Sequence, residues 1–240
     1  LGLLALAAFG LFVAVERRVT GPLLPLVLFS RRYYSMAVAS AVISFVVLFS
    51  VFLLTPFYLQ RVLGLSASRT GLVMMTVPVV AMLVAPSAGW LSDRIGSRHL
   101  ATGGLLLSVI GLAGLARLSL AGGVWGVVWG LAFLGAGQAM FLSPNSASVI
   151  TRIEPRYVGI SAGLLATARN MGMALGVASS GAAFAILFAR ATGGLDLRDY
   201  IPSHAAAFLA AMHGTYLVII LVGLVGVYLS WQRGEDRGRS

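Results

Sequence analysis

"GWLSDRIGSR", residues 89–98, stands between two long apolar runs, and five of its ten residues are Gly, Asp or Arg. The chain around it is 59% hydrophobic and 10% charged, with a mean hydropathy of +0.95. A water-soluble domain carries about 25% charged residues. So polar a cluster in so apolar a chain reads as a tight hairpin between two helices that live in lipid. Gly89 and Gly96 permit close backbone approach and unusual dihedrals. Asp93 can accept backbone N–H groups at a helix start, where the dipole favours an anion. Arg94 and Arg98 can pair with it or with lipid phosphate. The plainer reading is a solvated turn that carries arginines.

Outward from this hairpin, seven apolar segments emerge, at roughly 1–15, 35–59, 70–91, 100–118, 123–143, 158–189 and 211–231. Most reach the ~20 residues that a helix needs to cross a bilayer. They are continuous and rich in Leu, Ala, Gly and Val, which excludes the alternating pattern of a membrane β-barrel. The expected fold is an all-α, multi-pass transmembrane bundle. The segment at 158–189 would be about 48 Å long as helix, more than a bilayer core of about 30 Å. Its polar start therefore lies partly outside the hydrocarbon, with Arg169 near the boundary.

The 17 basic residues are all Arg. Without Lys the chain can be neither a conventional phosphate-loop ATPase nor a retinal Schiff-base protein. Without Cys it has no disulfide, thiolate metal site or nucleophilic thiol. The net charge of +10 does not mark a nucleic-acid binder, because sixteen arginines lie in connections or at span ends. Eleven fall in one set of alternate connections (16–34, 92–99, 151–157 and the tail) and five in the other. The richer set, with the C-terminus, is assigned to the cytoplasm.

Leu1 opens inside an apolar run that ends at Glu16-Arg17-Arg18, so the start is expected to be a helix cut short. The linker at 16–34, with Pro22 and Pro25, separates it from six spans joined mostly by short loops. This gives a truncated helix and cytoplasmic linker (1–34), a six-span unit (35–231) and a cytoplasmic tail (232–240).

The hairpin resembles the loop signature of the major facilitator superfamily, G-x-L-[AS]-D-R-x-G-R-[RK]. Gly89, Leu91, Asp93, Arg94 and Gly96 match, Ser97 replaces the first closing basic residue, and Arg98 fills the second. "LLTPFYLQRVLGLSASRTGLVMMTVP" (53–78) is similar to a stretch of that superfamily's fourteen-span drug/proton antiporters, through Pro56, Tyr58, Leu59, Gln60, Gly64, Ser66, Gly71 and Pro78. "ATARNMGMALGVA" (166–178) resembles the branch's penultimate helix, with Met173 in place of a usual Gly. "ERR…PLLPLVLFSRR" (16–32) resembles the connection after its second extra central helix.

The resemblance implies a C-terminal half, spans 8 to 14, of a secondary transporter working by alternating access. It implies proton-coupled efflux of lipophilic small molecules at a bacterial plasma membrane. Uptake or facilitated diffusion of another solute is the alternative, and a membrane-embedded enzyme or receptor a more distant one. The implied partners are the N-terminal half of the same polypeptide, the bilayer and a lipophilic substrate, with no nucleic acid. No cofactor or metal is implied; the proton gradient would supply the energy. In the superfamily the signature locks one side of the transporter, so Asp93 and Arg94 are expected to contact the opposite half.

Arg169 is the one charge well inside an apolar segment. It either pairs with an acid of the opposite half at the gate or snorkels to phosphate. Gly122, Gly126 and Gly130, and Gly172 and Gly176 with Ser180, form small-residue rows suited to helix packing. Pro56, Pro78 and Pro144 are expected to kink their helices. Gln138 and Asn145, seven residues apart in "GQAMFLSPNSAS", share a helix face and, with Phe141, are candidates to line a cavity. Interhelical hydrogen bonding is the alternative reading of the two polar residues. The seven acids are all in loops or at span ends, so either a proton-carrying carboxylate lies in the absent half or the chain is not proton-driven; the resemblance implies the former. His204 and His213 are nine residues apart, which is no zinc spacing.

Overall fold

The structure is a computed structural model that describes Gly10 and residues 26–120, 122–196 and 200–233. The expected truncated helix at 1–15, most of the linker and the tail beyond Arg233 lie outside the described residues. After a short helical turn, Leu26–Phe29, seven helices follow: α1 Arg32–Phe57, α2 Ala67–Met74, α3 Thr76–Ile95, α4 Ser97–Leu115, α5 Val124–Thr151, α6 Val158–Thr192 and α7 Ala205–Trp231. With α2 and α3 taken as one, six stretches are long and apolar enough to cross a membrane. No strand occurs among the described residues.

The prolines mark where the ladder changes. Pro56 lies near the end of α1, and the next residues, Tyr58–Val62, widen into a π-helical turn. Pro78, in the first turn of α3, cannot donate to the Met74 carbonyl four residues back; the helix breaks there, at Met75. Pro144 sits inside α5, which runs on to Thr151, well past the expected end near 143. Gly193 closes α6 in the left-handed region (φ 74°), a position that Gly takes without strain.

Helices α4 and α5 make the most extensive pair, followed by α1 with α6 and α3 with α5; α7 packs on α1, α4 and α6. The closest approaches are at glycines. A Cβ on Gly172 would lie 2.4 Å from the Val42 carbonyl, and one on Gly176 2.7 Å from that of Val46, so α6 rests on the α1 backbone. Gly137 meets the Gly104 carbonyl in the same way (2.5 Å), and Gly130 meets the Leu115 side chain (2.6 Å). Gly126 touches only Leu118, and Gly122 precedes α5 rather than lying on it, which shortens the expected row. Without a hydrophobic force between helices in lipid, such contacts supply the packing.

The main core lies at the end away from the 89–98 hairpin, around Tyr58, Leu112, Leu131, Phe188, Phe208 and Tyr216. The Tyr58 hydroxyl donates to the Ser119 carbonyl (2.9 Å), and Thr55 bonds the Tyr216 hydroxyl (2.9 Å). Most other span hydroxyls turn back on their own helix: Ser40, Ser108, Ser179, Ser180 and Thr215 each donate to the carbonyl four residues earlier.

Burial is uneven. In the most apolar window of each span, 61% of α1, 56% of α4, 50% of α5 and 44% of α7 is buried, against 28% for α6 and 11% for the α2–α3 span. Helices α3 and α6 are thus the two underpacked members of the bundle.

A methyl group separates two kinds of glycine on α6. Gly172→Ala is expected to cost about 1–3 kcal/mol by overpacking. Gly163→Ala, whose Cβ would meet nothing within 4 Å, is expected to stabilise by about 0.5–1 kcal/mol. Thermal unfolding of the detergent-solubilised protein checks the sign of each.

Candidate functional site

The arginine-rich end of the bundle gathers the α3–α4 corner, the end of α5 and the end of α7. Gly96 makes the corner with φ 87°, a backbone region that side chains resist. Within this chain nothing lies within 4 Å of where a Gly89 Cβ would be. Asp93 differs from the expected helix-start position, since it sits in the last turn of α3 and caps no helix; Gly96 occupies the cap of α4. A carboxylate there faces the negative end of the α3 dipole. It is exposed and makes no hydrogen bond or ion pair with any described residue. Arg94 lies over the Trp90 ring (3.8 Å to its centre) and Arg98 over that of Trp231 (4.5 Å). A polar cavity of about 600 Å³ opens between this corner and α5, lined by Asp93, Arg94, Ser148, Thr151 and Arg152 among others.

Beneath the corner is a junction that the sequence did not announce. Arg233, just past α7, is 95% buried, as its 5% exposure shows. Its Nη1 donates to Asn145 Oδ1 (2.5 Å) and its Nη2 to Ser97 Oγ (3.4 Å). Asn145 in turn donates through Nδ2 to the Ala37 carbonyl of α1 (3.3 Å). One amide thus joins α1, α5 and the end of α7. Burial, then the neighbouring charges of Arg152 and Arg98, lowers the Arg233 pKa to about 10, so it stays charged at neutral pH. A tail arginine is usually solvated, and nothing in the residues around this one signals its burial.

The trio Gln138, Phe141 and Asn145 does not share a cavity. Phe141 is fully buried with Ala41, Ala101 and Leu105, and Asn145 is 1% exposed in the junction just described. Their face turns into the bundle because α5 is central, packed by α3 on one side and α4 on the other. Gln138 alone of the three lines an apolar cavity, of about 400 Å³, between α3 and α5. Its Oε1 accepts from the Ser44 hydroxyl of α1 (2.5 Å).

Arg169 stands about 17 Å from the start of α6. Its Nη2 donates to Ser146 Oγ of α5 (2.7 Å), and its Nε has no partner among the described residues. Ser146 lines the same apolar cavity as Gln138. The structure therefore places Gln138 on one cavity, with Arg169 behind its Ser146, and Asp93 and Arg94 on another, while Arg98 lies over Trp231. Away from this end, His213 bonds the Leu118 carbonyl (2.7 Å) through Nε2.

The sequence matches the family model described as Major Facilitator Superfamily over residues 1–177. The chain belongs to the major facilitator superfamily. It is 30% identical to the riboflavin transporter RibZ of Clostridioides difficile, over all of this chain and 52% of that protein. It is 32% identical to the multidrug resistance protein Stp of Mycobacterium tuberculosis, over 73% of this chain and 32% of the relative. It is 34% identical to the methyl viologen resistance protein SmvA of Salmonella typhimurium, over 72% and 35% respectively. The chain spans about half or less of the length of these relatives. As a superfamily member with six apolar helices it is an integral membrane protein, and its family is one of transporters rather than enzymes.

The two ends of the Arg233 contact are not equivalent. Asn145→Leu strands a buried charge and is expected to cost about 3–5 kcal/mol. Arg233→Met strands only a neutral amide oxygen, about 1–3 kcal/mol. Thermal unfolding ranks the two, and the reverse order would show that Asn145 does not hold the guanidinium.

Proposed function

We propose that the chain is the C-terminal six-helix half of a fourteen-span, proton-coupled efflux transporter for lipophilic small molecules. Residues 1–15 would then belong to the eighth span. The observation that carries this reading is the uneven burial: two of six apolar spans, α2–α3 and α6, pack on α5 and on α1 and α7 yet leave most of their surface uncovered within the described chain. A six-helix counterpart, the N-terminal half of the same polypeptide, covers that face, and the two halves rock about it to expose the substrate alternately to each side.

Several features support the assignment. The match to relatives about twice as long or longer accounts for the missing helices. The partnerless Asp93 at the unfavourable end of α3 finds positive helix-start groups on the other half, and so biases the equilibrium between the two states. By the arginine bias, this end and the C-terminus face the cytoplasm, at a bacterial plasma membrane. The described carboxylates, Asp93, Glu154 and Asp196, lie at helix ends or in connections. The proton-carrying carboxylate therefore belongs to the N-terminal half. The transporter uses no cofactor and draws on the proton gradient.

A second reading, transport of a soluble nutrient, is favoured by the match of the whole chain to a riboflavin transporter. Direction and coupling separate the two.

Ethidium efflux from cells expressing the full-length protein is expected to stop when a protonophore collapses the gradient. Asp93→Asn is expected to reduce efflux to the level of cells lacking the transporter, while membrane insertion stays normal. Efflux that ignores the protonophore, or an Asp93→Asn protein working at the wild-type rate, would refute the proposal.

A further inference from the structure

The cavity between α3 and α5 has a chemical bias. Its walls are apolar, with Ala81, Met82 and Ala85 on one side and Ala139 and Leu142 on the other. At about 400 Å³ it has the size of a small-ligand pocket. Three of its lining residues are alanines, which leaves room for a ring system. Gln138, 7% exposed, lines it; its oxygen is taken by Ser44, and its amide nitrogen has no hydrogen-bond partner. A buried N–H without an acceptor is costly, and a ligand oxygen that meets it recovers the lost bond.

The neighbouring polar group has the same polarity. The Ser146 hydroxyl is already engaged, donating to the Leu142 carbonyl (2.8 Å) and accepting from Arg169. The Arg169 guanidinium keeps an unpartnered Nε. Arg169 does not line the cavity itself, but its charge sits one hydrogen bond behind Ser146, and the spare atoms of Gln138 and Arg169 are both donors; the Ser143 hydroxyl, also on the wall, can donate or accept. Asp93, the described carboxylate on the same span, lies eight residues beyond Ala85, about 12 Å along the helix. Ser146 thus connects the cavity wall on α5 to Arg169 of α6.

We propose that this cavity is a subsite for a flat, apolar, neutral or anionic molecule that presents a carbonyl or similar oxygen to the Gln138 amide, and that it disfavours lipophilic cations. The inference rests on the transporter reading for its purpose, but it concerns binding and is tested by binding. Any affinity of the whole transporter for cations then comes from residues outside this subsite.

Two probes share one ring skeleton: N-methylacridone is neutral and bears a carbonyl, whereas N-methylacridinium is a cation without one. Their binding to the full-length protein in lipid nanodiscs is read by fluorescence titration. The wild type is expected to bind the acridone more tightly. Gln138→Leu is expected to weaken acridone binding between about threefold and tenfold and to leave acridinium unchanged. Gln138→Glu keeps the side-chain shape but loses the amide donor; it is expected to weaken acridone similarly and to strengthen acridinium. Tighter binding of acridinium by the wild type, no acridone binding, or acridone binding indifferent to both variants would overturn the proposal. A protein that binds acridone in this Gln138-dependent way but moves nothing refutes the transporter reading and leaves the subsite standing. A proton-driven pump whose acridone affinity ignores Gln138 does the opposite.

Discussion

Where Gly172 and Gly176 lie against the Val42 and Val46 carbonyls, there is no room for even a methyl group between α6 and α1. The same holds for Gly104 and Gly137 between α4 and α5. Lipid tails are as apolar as leucine, so burial from water drives little of this association. Dispersion contacts do it instead, and these need close approach over many atoms. The glycine pairs hold two couples of helices together, α1 with α6 and α4 with α5. Helix α7, which touches α1, α4 and α6, ties the couples into one bundle.

That arrangement decides what each polar residue can do. Because α5 is wedged between α3 and α4, one of its flanks is sealed and the other borders a cavity. Asn145 falls on the sealed flank and becomes a structural junction; Gln138 falls where Ser44 of α1 and the cavity meet. The junction places a cation, Arg233, beneath the α3–α4 corner and links it to Ser97 in that corner. The hairpin signature is thus braced from below by the end of the last helix, while its own Asp93 points to no group in the described chain.

The six spans were readable because length and continuous hydrophobicity are nearly sufficient to define a membrane helix. Gly96 was readable because its motif position demands a glycine turn. The α6–α1 contact is visible as a Gly172/Gly176 spacing, whereas the equally tight α4–α5 contact, Gly104 on Gly137 and Gly111 on Gly130, spaces its glycines seven apart and lacks the four-residue row. Helix faces were the hard part. An α5 that is apolar all round has no preferred side, so nothing in residues 137–148 tells which flank is sealed, and the choice between cavity lining and interhelical bonding for Gln138 and Asn145 stays open in the sequence. Arg233 was illegible for a related reason: its burial depends on Asn145, 88 positions away.

The inward-turned hydroxyls carry a consequence for how such a protein diversifies. Ser40, Ser108, Ser179, Ser180 and Thr215 spend their hydrogen on the preceding turn of their own helix. To neighbouring helices they resemble alanine more than a polar residue. Fewer side chains are thus left to speak across helices, among them the Gln138 and Asn145 amides and the Arg169 and Arg233 guanidiniums, and these are the positions where drift is least free.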